Sequence, residues 1–285
     1  INHITTFHTL SLLKSEGLPK LNVPIIRKNG EKKVIEKSDE ILVWSEHEKQ
    51  SLLEYYGANS KNIRIIKPGV DVELFKPIEM HDTKFKSGEL KILFVGRLEP
   101  IKGVETVVRA ISNIDNSKIT ATIFGGDAVI GETNRLKALS RELNVENRIS
   151  FFGPIDRDLL PNIYRNHDLV IMPSYYESFG LAALEAQSSG IPVIASHVGG
   201  LSEVLVSGTT GYLIRPADDH VQFSNKIEIL ASDTKLRRLM ATNARQHAES
   251  FSWSQKGIDL LKVYCSKVEN TPFASTACEK ILATF

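Results

Sequence analysis

Lys91-Ile92-Leu93-Phe94-Val95-Gly96-Arg97-Leu98-Glu99-Pro100-Ile101-Lys102-Gly103 holds the pattern that decides the fold. The short, mostly apolar run 91–95 predicts a buried strand. Gly96 lets the backbone turn, and a helical period follows over 102–113. The alternation continues downstream. Strands are predicted at 119–124, 148–152, 168–172, 192–195 and 211–214. Helices are predicted at 131–143, 157–166, 180–189 and 218–231. Strands apolar on both faces and separated by helices imply a parallel sheet covered on both sides, the doubly wound α/β pattern. Upstream, 41–44 and 63–66 read as strands. Ser45, with Glu48 three residues on, reads as a capping box. Residues 69–90 are polar, contain Pro77 and lack periodicity, so they read as a linker. Two final helices, 233–249 and 253–267, have no strand between them.

The chain has 285 residues, enough for about two domains. Apolar residues are 42% and charged residues 24%, the balance of a globular protein. The two cysteines, Cys265 and Cys278, are too few for a disulfide-framed scaffold or a Cys-cluster zinc site. Lys plus Arg is 35 and Asp plus Glu is 34. This near balance argues against a surface that binds nucleic acid as a whole. The apolar runs 168–172 and 191–195 are too short to span a bilayer. The chain begins at Ile1 and shows no signal-peptide pattern at that end.

Ligands of doubly wound sheets bind beyond the strand C-termini, so the loops there carry the chemistry. In the first, Gly96-Arg97 and Lys102-Gly103 place two cations beside a helix start, where a cation opposes the helix dipole. An anion between Arg97 and Lys102 would resolve the conflict; two solvated cations are the alternative. Gly125-Gly126-Asp127 reads either as a close backbone approach to a ligand or as a plain turn. In Glu177-Ser178-Phe179-Gly180-Leu181, the N–H groups of a new helix face the crevice. Glu185 lies inside that helix, where a carboxylate can accept ribose hydroxyls or simply meet solvent. Gly199-Gly200 reads as a second backbone approach or a tight turn. His8 could donate or accept near neutral pH, or be an ordinary surface or core residue. Asp156-Arg157-Asp158 is read as a helix cap.

These residues together resemble the retaining glycosyltransferases of family 4, which have the GT-B fold. Glu177 and Glu185 match that family's E-x7-E motif. Gly96-Arg97 with Lys102-Gly103 matches its diphosphate-binding pair. Pro68-Gly69-Val70-Asp71, Phe152-Gly153-Pro154, Val198-Gly199-Gly200, Gly211-Tyr212-Leu213 and Phe251-Ser252-Trp253 follow in order. The resemblance implies two Rossmann-like domains facing each other across a cleft. It assigns 1–75 to the last part of the N-terminal, acceptor-side domain and 76–250 to the nucleotide-sugar domain. Residues 251–285 would be a helix crossing back, plus a tail. In length, 1–75 supply only part of an N-terminal domain.

The resemblance also implies roles. Arg97 and Lys102 would hold the diphosphate and stabilise it as leaving group. Glu177 would bind donor-sugar hydroxyls and Glu185 the ribose. The N–H groups of Phe179, Gly180 and Leu181, with Ser178, would contact sugar and phosphate. Gly96, Gly126 and Asp127 belong to the donor loops, and the loop around Arg148 and Phe151 would hold the base. His8 matches a histidine near donor sugar and acceptor; the family often pairs it with another in H-x-x-H, where this chain has Thr5. No metal and no cofactor are expected, the nucleotide sugar being a substrate. The acceptor would be a sugar, glycan or lipid-linked glycan, with the reaction cytoplasmic, at the inner membrane face. The basic stretch Arg27–Lys37, interrupted by Glu31 and Glu36, reads as a solvated helix face or a membrane contact. Two other classes fit the same motifs: a truncated module that binds nucleotide without turnover, and another GT-B enzyme such as a nucleotide-sugar epimerase.

Overall fold

The computed structural model describes residues 2–17, 23–77 and 88–268. The chain divides into two compact units. One runs to Asp71 and resumes at Ser250; the other is Val72–Glu249. In chain order the first unit holds β1 (Ile4–Thr6), α1 (Ser11–Gly17), α2 (Ile25–Lys37), β2 (Glu40–Val43), α3 (Glu46–Tyr56) and β3 (Ile63–Ile65). The second holds β4 (Leu90–Val95), α4 (Val104–Ser112), β5 (Ile119–Phe124), α5 (Glu132–Glu142), β6 (Ile149–Phe152), α6 (Leu160–Arg165) and β7 (Leu169–Met172). It continues with α7 (Leu181–Ser188), β8 (Val193–Ser196), α8 (Leu201–Val204), β9 (Gly211–Ile214), α9 (His220–Ser232) and α10 (Thr234–Glu249). Helix α11 (Trp253–Val268) belongs to the first unit.

The first unit's sheet is parallel, in the order β1-β2-β3. Its middle strand is buried at all four residues. A buried carboxylate ties the helices together. Glu31 of α2 accepts from the Ser11 N–H at 3.1 Å and the Ser11 hydroxyl at 2.5 Å. It also accepts from the Tyr56 phenol at 2.6 Å and Arg27 Nε at 2.9 Å. Burial acts to raise the Glu31 pKa, but these donors outweigh it and hold the carboxyl below its ordinary value. Arg27 is therefore engaged: its second branch donates to the Thr9 carbonyl. Lys32, Lys33 and Lys37 remain exposed on α2. Helix α3 starts where the capping signal places it, with Ser45 accepting from the Glu48 N–H at 3.1 Å. Glu48 reaches back one residue further than a capping box does, to the Trp44 N–H at 2.8 Å.

The second unit's sheet is parallel, in the order β6-β5-β4-β7-β8-β9. All six strands expected from the alternation are present. Every residue of β7 and β8 is buried, so both faces of the sheet centre are covered. Helix α4 buries Val104, Val107, Val108 and Ile111 in the core cluster with Ile92, Phe94, Ile123 and Phe223. The chain adds β5 and β6 on one side of β4, then places β7 on the other. The topological switch point is thus the β4–β7 junction, where doubly wound sheets leave a crevice at the strand C-termini.

Residues 69–77 are not the open linker expected. The position of a Cβ on Gly69 would lie 2.8 Å from the Trp253 ring, so only glycine fits beneath it. Val70 exchanges main-chain bonds with Phe251 and Trp253. Further on, Arg245 Nη1 donates to the carbonyls of Val72, Phe75 and Ser188 at 2.9–3.0 Å, and the Ser188 hydroxyl donates to Phe75 at 2.6 Å. Residues 78–87 of the expected linker and the tail from 269 lie outside the described residues.

Candidate functional site

The two loops that flank the switch point are fastened to each other by backbone. After β4 the chain forms a 3-10 turn over Pro100–Lys102, and Gly103 takes φ +64° before α4. The expected helix start at residue 102 therefore moves to 104, because Pro100 and a left-handed Gly103 separate the turn from the helix. A Cβ on Gly103 would stand 2.0 Å from the Pro173 carbonyl oxygen. The Tyr175 N–H donates to the Ile101 carbonyl at 2.8 Å. Across this seam Lys102 Nζ meets Glu177 Oε2 at 2.6 Å, with side-chain exposures of only 19% and 17%. Arg97 is exposed and pairs with Glu99 at 2.8 Å.

The Glu177–Gly180 loop is gripped from behind. Gly200 donates its N–H to the Glu177 carbonyl at 3.0 Å. A Cβ on Gly199 would stand 2.1 Å from that carbonyl oxygen, and one on Gly200 2.4 Å from Ser178 O and Phe179 Cα. The glycine pair thus shapes this loop; its close approach is to protein. The Phe179 ring is buried, and the Ser178 hydroxyl lies 3.1 Å from the Tyr176 phenol. Gly180, at φ +104°, precedes α7, whose first N–H groups, from Leu181 on, have no intrahelical acceptors. On the next turn of α7, Glu185 Oε2 accepts from the Tyr164 phenol at 3.0 Å. Burial raises the Glu185 pKa, against the opposing effects of Tyr164 and Arg157.

Other expected residues take different places. Gly96 and Gly126 join the loops after β4 and β5: Gly96 donates to the Phe124 carbonyl and Gly126 accepts from the Leu98 N–H. It is Gly125 that must lack a side chain, since its Cβ would meet Gly96 O at 1.9 Å. The Asp127 carboxylate turns to the start of α5, accepting from the Thr133 N–H at 3.0 Å and the Gly131 N–H at 3.2 Å. The Thr133 hydroxyl bond, then these main-chain bonds, hold its pKa below the ordinary value. Arg148 is not brought to the site. It precedes β6, at the opposite edge of the sheet, and its guanidinium donates to the carbonyls of Ile119 at 3.1 Å and Ile114 at 2.6 Å. Phe151 packs against the core cluster. The aromatic that reaches the strand-end surface is Phe152, 51% exposed and stacked on Phe124 with centroids 4.9 Å apart. Asp156 occupies a cap position but makes no side-chain cap bond. His8 lies in the first unit, after β1, edge-on to the Trp44 ring at 5.0 Å.

With this geometry in view, comparison with known proteins gives a consistent result. The family profile described as "Glycosyl transferases group 1" matches residues 75–247, more than half of the chain. The chain belongs to the group 1 glycosyltransferases. A second profile, "Glycosyltransferase Family 4", matches residues 1–74. A D-inositol 3-phosphate glycosyltransferase of Nocardia farcinica is 34% identical over 92% of this chain and 60% of its own length. The group 1 chain thus spans about three fifths of that curated relative. Sucrose-phosphate synthase from Thermosynechococcus elongatus superposes with TM-score 0.83 at 28% identity, over 94% of this chain and 68% of that one. The C-terminal domain of a group 1 glycosyltransferase (LpcC) from Francisella tularensis matches at 30% identity and TM-score 0.58, over 64% of this chain and 97% of that domain. The fold is accordingly the GT-B type of this family. Among the described residues of this group 1 chain, no helix is long and apolar enough to cross a membrane.

Proposed function

We propose that this chain carries the donor site of a retaining, metal-independent glycosyl transfer from a nucleoside-diphosphate sugar. The observation that carries the reading is the Lys102–Glu177 pair at 2.6 Å across the switch point. It joins a cation suited to a diphosphate with a carboxylate suited to sugar hydroxyls, in a partly shielded crevice. Arg97 and Lys102 stabilise the charge that develops on the β-phosphate as its bond to the sugar C1 breaks and the diphosphate leaves with the electron pair. The acceptor hydroxyl attacks C1 from the same face, and its proton passes to the departing phosphate oxygen. Two protein cations supply the stabilisation a metal would otherwise give. Glu177 is held in an ion pair, which suits a hydroxyl acceptor better than the carboxylate nucleophile a covalent route requires.

In the same reading Glu185 accepts the ribose hydroxyls, and Ser178 and the N–H groups of Phe179, Gly180 and Leu181 contact sugar and phosphate. Residues 76–250 form the donor domain, 1–75 and 251–285 the acceptor side, and His8 serves the acceptor. The reaction runs in the cytoplasm, at the inner membrane face where the acceptor is lipid-linked. The relatives' name nominates D-inositol 3-phosphate as the first acceptor to try. The test incubates the chain with UDP-, GDP- and ADP-sugars, this acceptor and EDTA, and follows nucleotide release and product anomer. Release that continues in EDTA with the donor's anomeric configuration supports the reading. Release only with added divalent metal, or an inverted product, overturns it. A second reading is donor binding without turnover; its signature is nucleotide binding without release.

A further inference from the structure

Tyr164 is wholly buried, and its phenol donates to Glu185 Oε2 at 3.0 Å. A buried phenol needs a partner, and here the partner is the carboxylate assigned above to the ribose. Among the described residues no hydrogen bond to Glu185 Oε1 is seen. One carboxylate oxygen is thus held by protein. The Tyr164 ring is itself fixed, edge-on to the buried Phe75 at 5.8 Å between centroids and 73°. Phe75 is fixed in turn by its carbonyl, which accepts from Arg245 at 3.0 Å and Ser188 at 2.6 Å. Ser188 closes the circuit, because it lies on α7 together with Glu185. The neighbour of Tyr164 on α6, Arg165, adds bonds to the carbonyls of Leu74 and Lys76 at 3.0 Å. Segment 72–77, α6 and α7 therefore form one braced group around Glu185.

We propose that Tyr164 is a positioning residue for donor binding: its phenol fixes the Glu185 carboxylate in the orientation that accepts the ribose hydroxyls, and Phe75 holds the phenol in place. The proposal rests on the donor-site reading above. A hydrogen bond that orients a carboxylate restricts its rotation before ligand arrives, which lowers the ordering cost of binding. Its effect is then confined to ligands with ribose hydroxyls, whereas a general packing role affects every nucleotide alike.

The experiment titrates the full chain with UDP, GDP and ADP and with their 2′,3′-dideoxy counterparts, in wild type, Tyr164→Phe, Glu185→Gln and the double variant. Tyr164→Phe is expected to weaken the preferred ribonucleotide on the order of tenfold, the scale of one hydrogen bond to a charged group. It should leave the dideoxy form unchanged and add nothing once Glu185→Gln is present. Equal weakening of both forms, or full additivity with Glu185→Gln, overturns the proposal. A Tyr164→Phe chain that keeps the ribose preference, while Glu185→Gln loses it, overturns this proposal and leaves the donor site standing. No ribose preference in wild type overturns both. Phe75→Leu keeps the hydrogen bond but loosens the ring behind it. It should show the same ribose-specific loss to a smaller degree, so the test holds even should Tyr164→Phe fail to fold; equal loss of both forms there overturns the proposal.

Discussion

Lys102 and Glu177 lie 75 positions apart in sequence and 2.6 Å apart in the fold. Each is largely shielded from water, so each satisfies the other until a ligand competes. In the proposed donor site an arriving diphosphate takes over Lys102, and the released carboxylate becomes available to sugar hydroxyls. Glu177→Gln removes the competitor. Calorimetry should show free nucleoside diphosphate binding several-fold tighter to this variant, while turnover of nucleotide sugar falls by on the order of a hundredfold. Weaker diphosphate binding would contradict the exchange. Glu185 gives a pH prediction. In the proposed role it accepts ribose hydroxyls best as the carboxylate, and burial raises its pKa. Nucleotide affinity should therefore decline as pH falls through a value above the ordinary carboxyl range, in addition to any decline from the ligand's own phosphate. The Glu185 part of that decline should be absent in Glu185→Gln, whose profile leaves only the titration of the ligand.

Among the elements, α3 carries a buried carboxyl with a consequence for stability. Glu48 is almost fully buried. Burial pushes its pKa up to about 7, with the Trp44 N–H opposing. The unfolded chain releases this proton near pH 4.5, while the folded chain keeps it until about 7. Between these values the native state binds more protons, so its contribution is full below about pH 4.5 and is lost as pH rises to about 7. The loss is up to about 3 kcal/mol. Thermal midpoints of wild type should fall across that window relative to Glu48→Gln, which keeps the acceptor for Trp44; parallel profiles would exclude it. Helix α3 also shows what the sequence makes legible. Its cap, the six strands of the second sheet and the loops beyond them all follow from local pattern. β1 does not, because Ile4–Thr6 is three residues long and two are threonines. Arg148 and Phe151 are close in sequence to the strand-end surface, yet four residues of strand span about 13 Å, and adjacent residues face opposite sides. So Arg148 falls at the far edge and Phe151 faces the core, leaving Phe152 at the surface. The glycine pairs are visible in sequence, but whether they admit a ligand or a neighbouring loop depends on contacts between distant segments. Tyr164 gives no local signal at all, since its partner is 21 positions away.

At the scale of the molecule, the residues of the proposed donor site all fall within Val72–Glu249. That unit has its own core, and its linker segment is anchored to its own α7 and α10 through Ser188 and Arg245. Expressed alone, it should unfold in one cooperative transition and bind nucleoside diphosphate within about threefold of the full chain. A broad, non-cooperative melt, or loss of binding, would show that the site needs the first unit. The claim on which everything else depends is that a nucleoside diphosphate binds between the loops after β4 and β7. It is tested most directly by calorimetric titration of the full chain with UDP, GDP and ADP in EDTA, beside Lys102→Ala and Glu185→Ala. The expected result is that one nucleotide binds and both substitutions weaken it at least about tenfold. Binding that survives both substitutions, or that appears only when divalent metal is restored, would contradict a donor site at this junction.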